Sequence, residues 1–199
     1  GSRTYQLFND PFGASISISS DGGVIAIGSP GYVGSTTSRS GEVRIYAWDG
    51  TTFVQVGSNI TAPYSYVSKD FGASVSLGGP GGIVTIGAPG IGERTGQIGK
   101  GSVWTYSWDR VSGDWVLRSS YAGTRTNSFF GHSVSTSDSS FLVFGAPGYK
   151  EGSSYATTGL ASVVHYAINI NSPVEKGFLG GNYEEFGSSV SLSADGKTL

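Results

Sequence analysis

Side chains that could carry acid–base chemistry are few in this chain. Only His132 and His165 titrate near neutrality without perturbation, and neither has an acidic or nucleophilic partner nearby in the sequence. Glu184 and Glu185 are neighbours along the chain, and such neighbours diverge into solvent instead of forming an acid–base pair. We therefore predict that the chain is not an enzyme and that both histidines are tolerated substitutions on strands.

The chain also has few side chains that could bind a metal. Cysteine is absent, which removes thiolate sites. Asp21, Asp138 and Asp195 each stand in a short Ser- or Gly-rich segment with a single carboxylate, whereas calcium requires several oxygen ligands. We expect these aspartates to form turns by bonding their own backbone, and we predict no metal site and no cofactor.

Composition excludes two classes of partner. Twelve basic residues against 14 acidic ones give a net charge of −2 with no basic cluster. The sequence therefore offers no concentration of positive charge that would attract the phosphate backbone of a nucleic acid. No apolar run approaches the roughly 18 residues that a membrane helix needs, so we expect no membrane insertion in this segment. With 33 glycines and 13% charged residues, the chain favours short strands and tight turns over helices.

The chain is a repeat. Phe-Gly recurs four times, with the phenylalanines separated by 59, 59 and 56 residues, and a small-residue-plus-Pro box lies between consecutive copies. One structural unit is therefore present about three and a third times. The copies are Phe12-Gly13, Phe71-Gly72, Phe130-Gly131 and Phe186-Gly187, and the boxes are Gly28-Ser29-Pro30, Gly87-Ala88-Pro89 and Gly145-Ala146-Pro147.

Each unit contains four strand-like segments. The first alternates polar and apolar residues, as in Ser15–Ser19 and Ser189–Leu192, and the second is apolar. The third begins at Val43, Val103 and Val163, with Tyr46, Tyr106 and Tyr166 in matching register, and the fourth contains Phe53–Val56 or Trp115–Leu117. Four short antiparallel strands per repeat predict an all-β fold made of β-propeller blades.

These units define the expected domain organisation, which is a partial propeller. Three and a third units cannot close a ring of about 4–8 blades. The predicted boundaries are residues 1–11 for a leftover outer strand of a preceding blade, 12–70 for blade 1, 71–129 for blade 2, 130–185 for blade 3 and 186–199 for the truncated start of blade 4.

The repeated motifs resemble a known family. Phe71-Gly72, then Gly87-Ala88-Pro89, then Gly101-x-Val103-x-x-Tyr106 resembles the FG-GAP repeat of integrin α-subunit propellers, and more closely the FG-GAP-like arrays of microbial and algal surface proteins. The resemblance implies propeller blades, an extracellular or cell-surface setting and a role in adhesion or ligand binding. The chain lacks the Asp-x-Asp-x-Asp-Gly calcium loop found in many integrin repeats. We expect the motif phenylalanines to fill the space between blades and the prolines to end strand two.

The long connections are the candidate binding surface. Connections from strand two to three and from strand four to the next unit emerge on the same side of a four-stranded meander, and binding residues concentrate in such loops. Tyr32 and Tyr149 follow the Pro box in two copies, so for these two we favour packing of the loop over ligand binding. The predicted ligand-binding residues are Tyr64, Tyr66, Tyr121, Tyr155 and Arg94.

The leading hypothesis is a non-catalytic extracellular module for adhesion or recognition that binds a protein or glycan through the long-loop face. The sequon Asn59-Ile60-Thr61 agrees with secretion. The alternative is an architectural surface-layer or spacer repeat whose loops contact neighbouring copies. Because open blade edges are templates for pairing, we also expect self-association, for example as a homodimer.

Overall fold

The computed structural model describes residues 12–32, 40–63, 70–90, 99–138, 141–152, 157–165, 174–180 and 184–199. All regular structure in these residues is β, arranged in three antiparallel sheets that follow one another along the chain. The predicted fold class, a partial β-propeller, is confirmed. No helix long and apolar enough to cross a membrane occurs among the described residues.

Each sheet is a meander in which consecutive strands are neighbours. The first sheet contains β1 (Ser15–Ile18), β2 (Val24–Ser29), β3 (Glu42–Trp48) and β4 (Phe53–Gln55), with the short β5 (Ile60–Thr61) also paired to β3. The second contains β6 (Ser74–Gly78), β7 (Ile83–Ala88), β8 (Ser102–Asp109) and β9 (Asp114–Ala122). The third contains β10 (Ser133–Thr136), β11 (Phe141–Ala146), β12 (Leu160–His165) and β13 (Val174–Leu179).

Phe71 and Phe130 occupy the junctions between adjacent sheets, as predicted. Phe71 is fully buried and Phe130 is 6% exposed, and each forms an isolated parallel bridge with a glycine of the preceding sheet, Gly41 and Gly101 respectively. The Phe71 ring packs on Trp104, with centroids 5.3 Å apart. The motif phenylalanines therefore join one blade to the next.

The motif glycines allow the sheets to approach closely. A Cβ added at Gly87 would overlap the carbonyl oxygen of Gly131, so the Gly-Ala-Pro box of one blade contacts the Phe-Gly of the next. The Ser74 hydroxyl donates to that same carbonyl at 2.8 Å. Equivalent bonds join Ser15 to Gly72 at 2.7 Å and Ser133 to Gly187 at 2.8 Å, so every described junction uses the same polar tie.

The short turns between the first two strands of each unit only partly follow the prediction. Asp21 accepts from the Gly23 amide at 2.9 Å and Asp195 from the Lys197 amide at 3.1 Å, so both are turn formers as expected. Asp138 is different, because its carboxylate accepts from the Gly79 amide of the preceding blade at 2.6 Å. It therefore ties two blades together, a contact that the prediction of a turn former did not include.

The third-strand register predicted for the last full unit was wrong by two residues. Gly41, Gly101 and Gly159 are structurally equivalent, since each bridges to the next motif phenylalanine. Ala161 therefore matches Val43 and Val103, each opposite the glycine of a Pro box, whereas Val163 lies opposite Val143. His165 accordingly corresponds to Ala47 and Ser107, which also pair with the first residue of strand two. Tyr166 lies outside the described residues.

Two other strand predictions also need correction. Tyr121 was expected to lie in a long connection, but β9 continues through Ala122 across a bulge opposite Thr105 and Tyr106. Ser189–Leu192, expected to be strand one of the fourth copy, is not a strand. Its Leu192 amide nevertheless donates to the Ser135 hydroxyl at 3.0 Å, as the Leu77 amide does to Ser17, so the segment takes its place beside the third sheet.

Candidate functional site

A groove of about 550 Å³ opens between the second and third sheets at the end of the molecule where the long connections gather. Both classes of connection line it, as the prediction of a shared long-loop face requires. Residues next to the Phe-Gly motifs, on either side, are Asp70, Asn127, Phe129, His132, Glu185 and Ser188. Residues from the connections that follow the Pro boxes are Pro89, Gly90, Pro147, Gly148, Lys150 and Thr157. None of these twelve residues belongs to a strand.

An unusual backbone conformation shapes one wall. Among the described residues, the non-glycine positions with positive φ are Asp70 (69°), Asn127 (58°) and Phe129 (54°), and all three line the groove. Asn and Asp tolerate this conformation, but a bulky side chain does so rarely. The amides of Ala73 and His132 donate to the carbonyls of Asp70 and Phe129 at 2.9 and 3.0 Å, so a tight turn holds each one in place.

Hydrogen bonds fix this wall to the connections on either side. The Phe129 amide donates to the Gly99 carbonyl at 2.8 Å, and the Gly148 amide donates to the Ser128 carbonyl at 3.2 Å. The Phe129 ring lies so close to Gly99 and Gly148 that a Cβ on either glycine would overlap it. Arg125 adds a bond from its guanidinium to the Gly152 carbonyl at 3.2 Å. The groove is thus supported by a connected backbone framework.

The groove combines apolar surface with polar groups of several kinds. Phe129 is 39% exposed and, with Pro89 and Pro147, supplies apolar lining. The polar lining consists of two carboxylates, one ammonium group, one imidazole, one amide and two hydroxyls, from Asp70, Glu185, Lys150, His132, Asn127, Thr157 and Ser188. No cluster of three or more His, Asp or Glu placed to hold a metal occurs within the described part of the chain. The arrangement suits reversible binding of a ligand with both apolar and polar surface.

Four of the five residues predicted for ligand binding lie outside the described residues. Tyr64, Tyr66, Arg94 and Tyr155 lie beyond the described residues. Tyr121 is part of β9, opposite Val103, and its ring packs on Phe144 with centroids 5.0 Å apart. It was therefore wrongly placed in a loop, because the bulge in β9 lets the strand continue and turns this side chain onto the core.

Packing was predicted for Tyr149 and is confirmed. Tyr149 packs against the buried cluster around Phe144 and Val164. Its carbonyl accepts from the amides of Thr158 and Gly159 at 2.9 and 3.1 Å, which closes the base of the connection. Tyr32 repeats this arrangement in the first unit, where its carbonyl accepts from Ser40 and Gly41 at 3.1 Å.

Sequence reasoning missed several groove residues. His132 was interpreted as a strand substitution, but it precedes β10 and is exposed at the groove. Glu185 was interpreted as a solvent-facing charge, but it lines the groove as well. The available signal was variation between copies, because Phe129 replaces Asp70 and Glu185 at equivalent positions, while His132 replaces Ala73 and Ser188. Several residues that differ between the copies therefore lie together in the groove.

Comparisons with known proteins address the fold alone. No protein-family model matches the chain, and no curated protein matches it. Among solved structures, Sqt1 of Saccharomyces cerevisiae is similar, with a TM-score of 0.56 and 11% sequence identity. The match covers 89% of this chain and 38% of the Sqt1 chain. Sqt1 is a β-propeller, so the comparison supports propeller blades, while the FG-GAP resemblance stays a prediction.

Proposed function

We propose that this chain is a non-catalytic, extracellular recognition or adhesion module that binds a protein or glycan through its long-loop face, at the groove between the second and third blades. The observation that carries the proposal is the division of residues between copies. Residues that recur in every copy, such as the motif glycines, form the junctions. Residues that differ between copies, such as Phe129 and His132, line the groove beside the recurring Pro-Gly pairs at Pro89 and Pro147.

The dimensions and position of the groove support a binding role. Its volume of about 550 Å³ lies within the range of about 300–1,000 Å³ typical of ligand sites. Its lining comes from connections mounted on rigid strands, which is where binding residues usually lie. An exposed phenylalanine held at positive φ adds a strained feature of the kind that clusters at functional sites.

The proposed surface also includes the sequence-predicted residues Tyr64, Tyr66, Tyr155 and Arg94. Tyr64 and Tyr66 belong to the same connection as Asp70, and Tyr155 to the same connection as Thr157; both Asp70 and Thr157 line the groove. Tyrosine provides a large contact area at a low cost in conformational entropy. These residues would extend the contact beyond the groove itself.

Binding of labelled protein to fixed microbial and animal cells tests the proposal. Phe129→Ala should lower cell binding at least ten-fold, while Leu117→Ala should leave it unchanged. The two apolar side chains are similarly exposed, by 39% and 43%, and only Phe129 lines the groove. Equal binding by both variants, or no binding by the wild-type protein to any cell type, would contradict the recognition function.

One observation favours the architectural alternative. The leading face, defined here as Phe12, Ile16, Ile18, Trp48 and Phe53 of the first blade, is exposed by 37–65% at every position. Of the equivalent residues in the second blade, Phe71, Val75, Leu77 and Trp115 are at most 9% exposed and Trp108 is partly buried, because the first blade covers them. This apolar surface supports self-association, for example as a homodimer.

Light scattering coupled to size-exclusion chromatography tests that alternative. Self-association through the leading face should give a mass above 20.6 kDa, and Ile16→Ser together with Ile18→Ser should return the protein to a monomer. A wild-type monomer at all concentrations would remove the basis for the architectural role. Phe129→Ala should leave the mass unchanged, which separates the two surfaces.

A further inference from the structure

We propose that the groove binds a neutral glycan, with one sugar ring stacked on Phe129 and its hydroxyls bonded to Glu185 and Asn127. This inference rests on the proposed recognition function and specifies its ligand. It follows from three properties of the groove, namely its charge, its mixture of apolar and polar lining, and the absence of strand edges among its lining residues.

The charges of the groove disfavour strongly charged ligands. Asp70 and Glu185 contribute carboxylates and Lys150 an ammonium group, at different places around the lining. A polyanion would be repelled by the two carboxylates. A polycation would be attracted by the carboxylates but repelled by the ammonium group, which offsets one of the two negative charges. A ligand without net charge avoids both penalties.

The lining requires a ligand that is apolar on one side and rich in hydroxyls on the other. Phe129, Pro89 and Pro147 offer surfaces for C–H groups. An ionised carboxylate such as Glu185 only accepts hydrogen bonds, whereas the Asn127 amide both donates and accepts. A pyranose ring matches this combination, because its C–H face can cover an aromatic ring while its hydroxyls donate and accept around the rim.

A peptide fits less well. Extended peptides gain affinity mainly by adding a strand to an exposed sheet edge, and all of the residues that line the groove lie in turns and connections. Peptide backbone groups would therefore find no ladder of amides and carbonyls along the groove. Side-chain recognition of sugar hydroxyls needs no such ladder.

The groove also predicts how many glycans bind to each chain. Asp70, Phe129 and Glu185 occupy equivalent positions in three successive copies, and all three line this one groove. One glycan should therefore bind per chain, even though the scaffold is repeated. Repeat symmetry alone would predict several equivalent sites.

The test uses defined oligosaccharides. Tetrasaccharides of β-glucan, mannan, galactan and N-acetylglucosamine serve as neutral probes, with hyaluronan and heparin fragments as anionic comparators and chitosan oligomers as cationic ones. We expect binding to at least one neutral probe, at one site per chain by titration calorimetry. Preference for the charged probes, or binding to none, would overturn the inference.

Variants locate the site. Phe129→Ala should weaken glycan binding at least ten-fold, Phe129→Tyr should restore it because the ring is retained, and Leu117→Ala should have no effect. Glu185→Gln should weaken binding several-fold without altering the fold, because the Ser188 hydroxyl bonds to the Glu185 backbone carbonyl and not to its side chain. Full glycan affinity in Phe129→Ala would overturn the inference.

Digestion of the cells with glycosidases that degrade β-glucan, mannan, galactan and N-acetylglucosamine polymers separates this inference from the proposed function. Loss of wild-type cell binding after digestion supports a glycan ligand. Cell binding that depends on Phe129 but survives digestion of all four polymers would overturn the glycan inference and leave the recognition function standing. Cell binding that does not depend on Phe129 would contradict both.

Discussion

Phe130 lies in the junction between the second and third blades and is 6% exposed, whereas Phe129, the residue before it, lies in the groove and is 39% exposed. The positive φ of Phe129 turns the backbone so that two consecutive phenylalanines meet different surroundings. Phe130 recurs in every copy as the motif phenylalanine, and Phe129 does not. The comparison teaches that constant residues hold the blades together, while variable residues are available for binding.

The two phenylalanines also differ in how much their burial stabilises the fold. The Phe130 ring packs edge-on against Phe144 at 5.4 Å between centroids, and burial of such a side chain contributes roughly 1.5–3 kcal/mol. The exposed part of Phe129 contributes little of this kind. Changes at the junction should therefore alter stability, whereas changes in the groove should alter binding.

The most severe break in the junction is Gly87→Ala. The added methyl group would overlap the Gly131 carbonyl and the Ser74 hydroxyl, so two blades must move apart at a cost of about 3 kcal/mol or more. Denaturant unfolding measures the change. Gly82→Ala is the control in the same blade, because nothing lies within 4 Å of the new Cβ, and its effect should stay within about 1 kcal/mol. Similar losses in both variants would contradict close packing at the junction.

Alkaline pH should weaken the junction through Tyr106. Burial raises the pKa of Tyr106 to about 12, against about 10 in the unfolded chain. Its contribution is therefore complete below pH 10 and is lost as the pH rises through about 12, which amounts to up to about 3 kcal/mol. Unfolding followed between pH 9 and 12 should show this loss in the wild-type protein and a smaller one in Tyr106→Phe. The same loss in both proteins would rule out Tyr106 as its source.

A smaller effect is expected from the polar tie between blades. Ser74→Ala leaves the Gly131 carbonyl without the hydroxyl that donates to it at 2.8 Å, which should cost about 1–2 kcal/mol. Ser188→Ala changes the same residue type at the groove, where its hydroxyl bonds to a carbonyl three residues away, and it should cost less. Thermal unfolding compares the two variants, and we expect Ser74→Ala to be the less stable one. If Ser188→Ala is less stable, the difference between junction and groove is contradicted.

The smallest expected effect is the loss of stability at acidic pH. The Ser58 amide of the first blade donates to Asp114 of the second at 2.8 Å, and this bond, with that from the Trp115 amide, lowers the pKa of Asp114 below its usual value of 3.8. The stabilisation is present above pH 3.8 and is lost as the pH falls through the lower folded value. Asp114→Asn should therefore show a smaller fall in Tm between pH 6 and pH 3 than the wild-type protein. An unchanged fall would exclude Asp114 as a contributor.

The junctions could be predicted from the sequence because they recur at nearly constant spacing. Phe71, Gly87 and Pro89 were assigned structural roles from this recurrence, and β7 ends at Ala88, immediately before Pro89. The register of Val163 could not be found in this way. A shift of two residues keeps each strand side chain on the same face of the sheet, so the alternating pattern fits either register.

The groove could not be predicted because its shape depends on the backbone conformation of Phe129, which this residue type does not indicate. A phenylalanine rarely adopts positive φ, so nothing in the sequence marked Phe129 as the point where the chain turns. The extension of β9 to Tyr121 was hidden for a related reason. Arg118, Ser119 and Ser120 resemble loop residues by type, yet an outer strand with an exposed face accommodates them.

A paired measurement of cell binding and of the free energy of unfolding for Phe129→Ala and Phe130→Ala tests the division between junction and groove most directly. Phe130→Ala should lose about 3 kcal/mol or more of stability and should bind normally where it is folded. Phe129→Ala should stay within about 1 kcal/mol of the wild-type protein and lose binding at least ten-fold. If Phe129→Ala binds like the wild-type protein, or if both variants lose stability equally, the separation of scaffold from binding surface is wrong.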